Sequence, residues 1–266
     1  MKLVRAFRDG MTFYGVLEQE TIRKIDGCIF EEYRITDETL PLAAVKLLAP
    51  VAPPNVLAIG LNYKRHSDEF SRETDRSDFK LPERPVIFIK ATSSVVGPED
   101  SISLPKSAPS EVDYEAELAV VIGRSAKDVS EADALDYVLG YTCGNDVSAR
   151  DCQMKQDTQW ARAKSFDTFC PLGPWIETEL DPACVRVTSR LNGTVMQDST
   201  TENMIFSVRQ LVSYCSRDMT LAPGTVILTG TPEGVGFARK PPVFLKSGDR
   251  VEVEIGGIGL LSNTVL

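Results

Sequence analysis

"EVDYEAELAVVIG", residues 111–123, is the stretch on which the fold turns. In an extended segment successive side chains point to opposite sides, so residues two apart share a face. Tyr114, Ala116, Leu118 and Val120 then line one side, and Asp113, Glu115 and Glu117 line the other. The two glutamates would lie about 7 Å apart, from a rise of ~3.3–3.4 Å per residue. An exposed strand side would account for an isolated E-x-E. Here the acid face continues as Ala119 and Val121 and becomes apolar. A buried face carrying paired carboxylates requires a cation, because isolated buried charges are too costly.

Working outward, strand signals dominate. "RPVIFIKA", "VRVTSRLNG", "GTVILTG" and "DRVEVEIGGIGLLSNTV" read as further strands, and the Asn-Gly step in "TSRLNGTVM" predicts a tight hairpin. Helices are few. "SEADALDYVLG" predicts one, with Ser130 as N-cap, Asp133 three residues on, Gly140 as the stop, and Ala134, Leu135, Val138 and Leu139 as its apolar stripe. "NMIFSVRQLVSYCS" predicts another through Met204, Ile205, Val208, Leu211, Val212 and Cys215. Strands outnumber helices and do not alternate with them regularly, which argues against a doubly wound βαβ arrangement. The fold class is therefore α+β and β-rich, with mixed sheet. Residues 1–50 read as a small N-terminal β domain, and the prolines of "LLAPVAPPNVLAIG" place a boundary before the larger domain, 51–266.

The chain has 266 residues and a formal net charge of −9, which argues against nucleic acid as a partner. The cysteines at 28, 143, 152, 170, 184 and 215 form no CxxC pair, so reduced thiols are expected. "MKLVRAFRDG" has no apolar core of a leader, and no apolar run approaches membrane-spanning length. A cytoplasmic location without membrane association follows as the expectation.

Several residues could carry chemistry. A third acid would complete a hard-ion site with Glu115 and Glu117, and Asp146 in "GYTCGNDVSARD" is the candidate, although its spacing would equally suit a turn. Oxygen-only ligands suit Mg²⁺, Mn²⁺ or Ca²⁺ rather than zinc. His66, the single histidine, stands three residues before Glu69 in "GLNYKRHSDEF". If that segment is helical, Glu69 can hold one ring nitrogen and leave the other to act. Taken alone, a histidine in a charged loop would give the same spacing. One histidine excludes an H-E-x-x-H zinc site, and no G-x-S-x-G elbow occurs. Lys164, in "WARAKSFDTFCPLGPW", could snorkel at the surface or fix a positive charge where an enolate oxygen sits. "LTGTPEGVG" (228–236) lacks a Walker ending and reads as a plain turn or as a loop offering backbone N–H groups to a carboxylate.

Taken together and in order, the blocks "IGLNYKRHSDE", "FIKATSSVVGPEDSISLP", "EVDYEAELAVVIG", "GYTCGNDVSARDCQ", "KSFDTFCPLGPW", "LTGTPEGVG" and "SGDRVEVEIGGIGLLSN" resemble the fumarylacetoacetate hydrolase family from about residue 50 to the C-terminus. The first fifty residues look like the small N-terminal domain of its bacterial-type members. The resemblance implies a rolled mixed sheet with a pseudo-barrel, in a homodimer. It implies one divalent cation per subunit, Mg²⁺ or Mn²⁺ with Ca²⁺ admissible, held by Glu115, Glu117 and Asp146. It implies catalytic roles for His66, Glu69 and Lys164, and binding of a small anionic 2-oxo acid by Arg150, Gln153 and Thr231. The expected activity is hydrolysis of a C–C bond in a 2,4-dioxo acid of the acylpyruvate or fumarylpyruvate type, through a metal-stabilised enolate. The alternative is decarboxylation of an oxaloacetate-like acid or isomerisation of an unsaturated 2-oxo diacid, as in aromatic-compound catabolism. The insert "FSRETDRSDFKLPERP" after the histidine segment would reshape the substrate mouth.

Overall fold

The structure, a computed structural model, describes residues 1–73, 80–108 and 110–266. Its centre is the strand Ala116–Ile122, which is buried along its whole length. Such near-continuous apolar sequence is what a strand covered on both faces requires. Leu118, Val120 and Ile122 enter one hydrophobic cluster, and Ala119 and Val121 enter another. The first cluster is closed by Val187, Val253, Ile255 and Leu261 of a four-stranded antiparallel sheet, ordered Thr194–Thr200, Arg186–Leu191, Arg250–Ile255, Gly259–Thr264. The second is closed by Leu172, Ile176, Val226 and Leu228 from neighbouring strands.

The large sheet has twelve strands. Ala116–Ile122 pairs antiparallel with Val138–Asn145 on one side and Val226–Leu228 on the other. Val226–Leu228 pairs parallel with Val56–Gly60, which pairs antiparallel with Val86–Lys90 at the sheet's end. The first fifty residues add Lys2–Arg8, Met11–Glu18, Thr21–Gly27 and Tyr33–Pro41 at the other end, where Leu3 faces Ile176. The architecture is the strand-rich α+β roll expected, with α-helix at α1 (Lys64–Glu73), α2 (Ala161–Lys164) and α3 (Val208–Asp218) among the described residues. No helix among them is long and apolar enough to cross a membrane. All six cysteines are free.

Two local expectations are corrected. The run 111–120 is not one strand: Val112–Asp113 pairs with Ser148–Ala149, and the chain breaks at Tyr114 and Glu115 before Ala116–Ile122 begins. The helix expected over 130–140 is only a 3₁₀ turn at Ala134–Tyr137, and Val138 starts a strand. Sheet pairing overrides the local cap signal there. Gly140 is not a helix stop; a Cβ at that position would lie 2.5 Å from the Glu177 carbonyl, so glycine permits close strand approach.

Other signals hold. Asn192 and Gly193 both take positive φ, 51° and 80°, as a two-residue hairpin of type I′ demands. α3 begins later than the apolar periodicity suggests, at Val208, because Ser207 and Gln210 form a reciprocal capping box. Ser207→Ala should lower stability by about 1 kcal/mol, the usual worth of such a cap, in a urea titration with unchanged slope.

Candidate active site

Two neighbouring strands end side by side and carry the acids with them. Ala116 pairs with Asn145 and Glu117 with Gly144, so Asp146 emerges beside Glu115. The Asp146 N–H donates to the Glu115 carbonyl at 2.9 Å, and the Glu115 N–H donates to the Asn145 side-chain oxygen at 3.0 Å. Asn145 thus pins the chain break that frees Glu115 from the strand. One carboxylate oxygen from each of Glu115, Glu117 and Asp146 lies within 4.8 Å of the others, and all three residues are buried.

Three buried cations surround them. Lys164, the last residue of α2, donates to Glu115 Oε2 at 2.7 Å and Asp146 Oδ2 at 2.8 Å. Arg150 donates to Glu115 Oε1 at 2.5 Å, Asp113 Oδ1 at 2.7 Å and Gln153 Oε1 at 2.7 Å, with its guanidinium over the Phe237 ring. Lys90 donates to Asp146 Oδ1 at 2.5 Å and to the Lys164 backbone carbonyl. With Asp113, the cluster sets four buried carboxyl groups against these three bases.

The electrostatics divide the acids. Burial pushes Glu115 up, but Lys164 and Arg150 more than reverse it, and its carboxyl is held well below the ordinary range. Burial, then repulsion from Asp146 and Glu115, holds Glu117 well above its ordinary value, against attraction from Lys164 and the Gly230 N–H that donates to it at 2.6 Å. Lys164 is disfavoured as a cation by burial yet ends raised, because Asp146 and Glu115 flank it. An oxygen-only set of three clustered carboxylates, of which Glu117 makes no ion pair among the described residues, fits a hard divalent ion such as Mg²⁺ or Mn²⁺.

The neighbouring cavity has about 310 Å³ of empty space counted out to its mouth. His66, Glu115, Arg150, Gln153, Lys164 and Thr231 line it, with Phe70, Phe88 and Trp160 among its apolar walls. The structure therefore brings together nearly all the residues singled out from sequence, with Glu117 and Asp146 behind Glu115 and Glu69 behind His66. α1 is helical, and Glu69 Oε2 stands 3.5 Å from His66 Nδ1, an ion-pair separation without an aligned hydrogen bond.

The glycine-rich loop turns out to serve the protein's own carboxylates. Gly230 N–H holds Glu117, and Gly234 N–H lies 3.0 and 3.1 Å from the two oxygens of Glu69. Gly230 and Gly234 both require glycine: their φ angles are +97° and +99°, and a Cβ would lie 2.7 Å from Asn62 Cβ and 2.3 Å from the Met196 carbonyl respectively. Thr231 lines the cavity, but its hydroxyl donates to the Ala116 carbonyl and accepts from Gln197, so its proton is already committed. Part of the insert expected to shape the mouth, residues 74–79, lies outside the described residues.

Two residues escaped the sequence reading. Asp113 was grouped with the acid face, yet it anchors Arg150 and accepts the Phe237 N–H at 2.8 Å. Lys90 closes the apolar run "VIFIK", and a lysine ending such a strand was the only available signal.

The fumarylacetoacetate (FAA) hydrolase C-terminal model matches residues 55–266, and a Rv2993c-like N-terminal model matches residues 1–50. A fumarylacetoacetate hydrolase domain-containing protein 2 homolog of Dictyostelium discoideum is 47% identical over 244 residues, spanning 87% of this chain and 77% of that protein. A mitochondrial oxaloacetate tautomerase of Rattus norvegicus is 46% identical over 231 residues, spanning 85% and 71%. The crystal structure of a 2-hydroxyhepta-2,4-diene-1,7-dioate isomerase from Mycobacterium marinum superposes with a TM-score of 0.88 at 44% identity, covering 100% of this chain and 98% of that one.

Proposed function

The chain belongs to the fumarylacetoacetate hydrolase family, and we propose that within it the protein isomerises a short 2-oxo dicarboxylic acid, moving a proton between the enol and keto forms of an oxaloacetate-like substrate. The observation that carries this reading is one cavity that unites a single proton-transfer group, His66, with the buried cations Lys164 and Arg150. Tautomerisation needs a base that can take and return a proton, and fixed positive charge where the 2-oxygen becomes negative.

An ionised carboxylate can only accept, so closing the 3.5 Å gap between Glu69 and Nδ1 would select the His66 tautomer with hydrogen on Nδ1. Nε2 is then left with a lone pair to exchange the C3 proton. The Arg150 guanidinium, immobilised by Asp113, Glu115 and Gln153, offers its remaining N–H bonds to a substrate carboxylate, and so does the Gln153 amide nitrogen. Lys164 stands ready to meet the negative charge at the 2-oxygen. A divalent ion on Glu115, Glu117 and Asp146 would add Lewis acidity, polarising the 2-oxo group. Phe70, Phe88 and Trp160 keep water from the other side of the cavity, with Trp160 edge-on to both phenylalanines at 6.2 and 5.7 Å.

Hydrolysis of a 2,4-dioxo acid, the first expectation from sequence, would use the same residues with a water between His66 and the 4-oxo carbon. The relatives named as oxaloacetate tautomerase and heptadienedioate isomerase support the isomerase alternative instead. Freshly dissolved enol-oxaloacetate, followed by ultraviolet absorbance with Mg²⁺ or Mn²⁺ present, should ketonise at least about 100-fold faster than in buffer, the lower range for general acid–base catalysis. Rapid cleavage of an acylpyruvate with the enol lifetime unchanged would reverse the choice.

A further inference from the structure

Lys90 has no surface role to explain it. It ends the terminal strand of the large sheet, where three of the preceding four residues are half-buried and Ile89 is exposed, yet its own exposure is 0%. Its ammonium reaches Asp146 Oδ1 at 2.5 Å and the backbone carbonyl of Lys164, while the Lys164 ammonium holds Asp146 Oδ2 at 2.8 Å. The three residues form a closed ring in which Lys164 is gripped at both its main chain and its tip. A buried lysine so placed fixes geometry at the expense of crowding any cation nearby.

We propose that Lys90 is a positioning residue with two linked effects: it sets the Lys164 ammonium for turnover, and it holds down the affinity of the Glu115–Glu117–Asp146 cluster for a divalent ion so that the ion exchanges. The sign follows from the ring. Removing the Lys90 charge relieves repulsion on an incoming dication and leaves Asp146 Oδ1 unpaired in the metal-free protein. Both changes favour the ion. Asp146 keeps its orientation through Lys164 Nζ and through its own N–H on the Glu115 carbonyl. Lys164 itself loses the anchor of its carbonyl. The inference rests on the metal and tautomerase readings above.

The test is Lys90→Met, which keeps length and apolar contact while removing charge and donor. Metal-stripped protein is titrated with Mn²⁺ by electron paramagnetic resonance, and its unfolding is followed in parallel. The variant should bind Mn²⁺ at least about tenfold more tightly, the scale of removing a like charge a few ångströms away at intermediate dielectric. It should melt earlier without metal, recover on adding Mn²⁺, and show kcat lowered about 100-fold with KM changed far less. Weaker Mn²⁺ binding, or unchanged kcat, overturns the proposal. If wild-type protein and Glu117→Gln bind Mn²⁺ equally poorly, the metal reading fails, and the role of Lys90 fails with it. If wild type binds and Lys90→Met binds less, only the role of Lys90 fails. Lys90→Gln, which keeps a neutral donor, carries the same readouts should the methionine variant not fold.

Discussion

His66→Gln should lower the enol–keto rate by about 10²–10⁴-fold while leaving divalent-ion binding and the unfolding midpoint unchanged. The glutamine amide fills the same space and can hydrogen-bond, but it cannot accept and return a proton at neutral pH. Because this is the single histidine, and its Nδ1 faces Glu69, no neighbouring imidazole can substitute. Glu69→Gln should show a smaller loss. The Gly234 N–H would still hold the amide oxygen, so the residue would stay in place while the charge that supports a protonated His66 is removed. Comparable activity in wild type and His66→Gln, both measured with saturating metal, would falsify the proposed proton transfer and leave the metal cluster as the seat of any remaining catalysis.

Glu117→Gln should weaken Mn²⁺ or Mg²⁺ binding by at least about 100-fold, beyond the range seen when only a residue supporting a ligand is lost. Isothermal titration of metal-stripped protein gives that number directly. The fold should survive, because the glutamine oxygen can still accept the Gly230 N–H. The same variant has a distinct pH signature. Glu117 is held well above the ordinary glutamate value of 4.5 by burial and by its acidic neighbours. Between those two values the native protein keeps a proton that the unfolded chain has released. Stability of the metal-free protein therefore falls as pH rises through that window, by at most about 1.4 kcal/mol per pH unit from this group. The Glu117→Gln protein should lack this component and be the more stable of the two above pH 5 when both are metal-free. A steeper decline in the variant would show that Glu117 is ionised and stabilising in the native state.

Legibility from sequence followed the range of the interactions. The E-x-E spacing, the His66–Glu69 step and the Asn-Gly hairpin are written within four residues each, and each was readable because backbone period and turn chemistry act over that distance. The same local grammar failed at 130–140, where pairing of Val138–Asn145 with its neighbours outweighed a helical pattern that stops as a 3₁₀ turn at Ala134–Tyr137. It also missed the break at Tyr114 and Glu115, which depends on Asn145 thirty residues away.

By itself, then, the sequence determined a strand-rich α+β chain with two acids, Glu115 and Glu117, at the head of a buried strand, a lone histidine beside a glutamate, and a family resemblance that ordered these into one site. Tertiary structure alone decided that Asp146 stands beside Glu115, that the glycine loop spends its amides on Glu117 and Glu69, and that Lys90 and Asp113 belong to the cluster. The reason is desolvation. Once the fold buries a carboxylate, its partner is whichever cation or N–H can be brought to within hydrogen-bonding distance, and those partners lie 18 to 165 residues away along the chain.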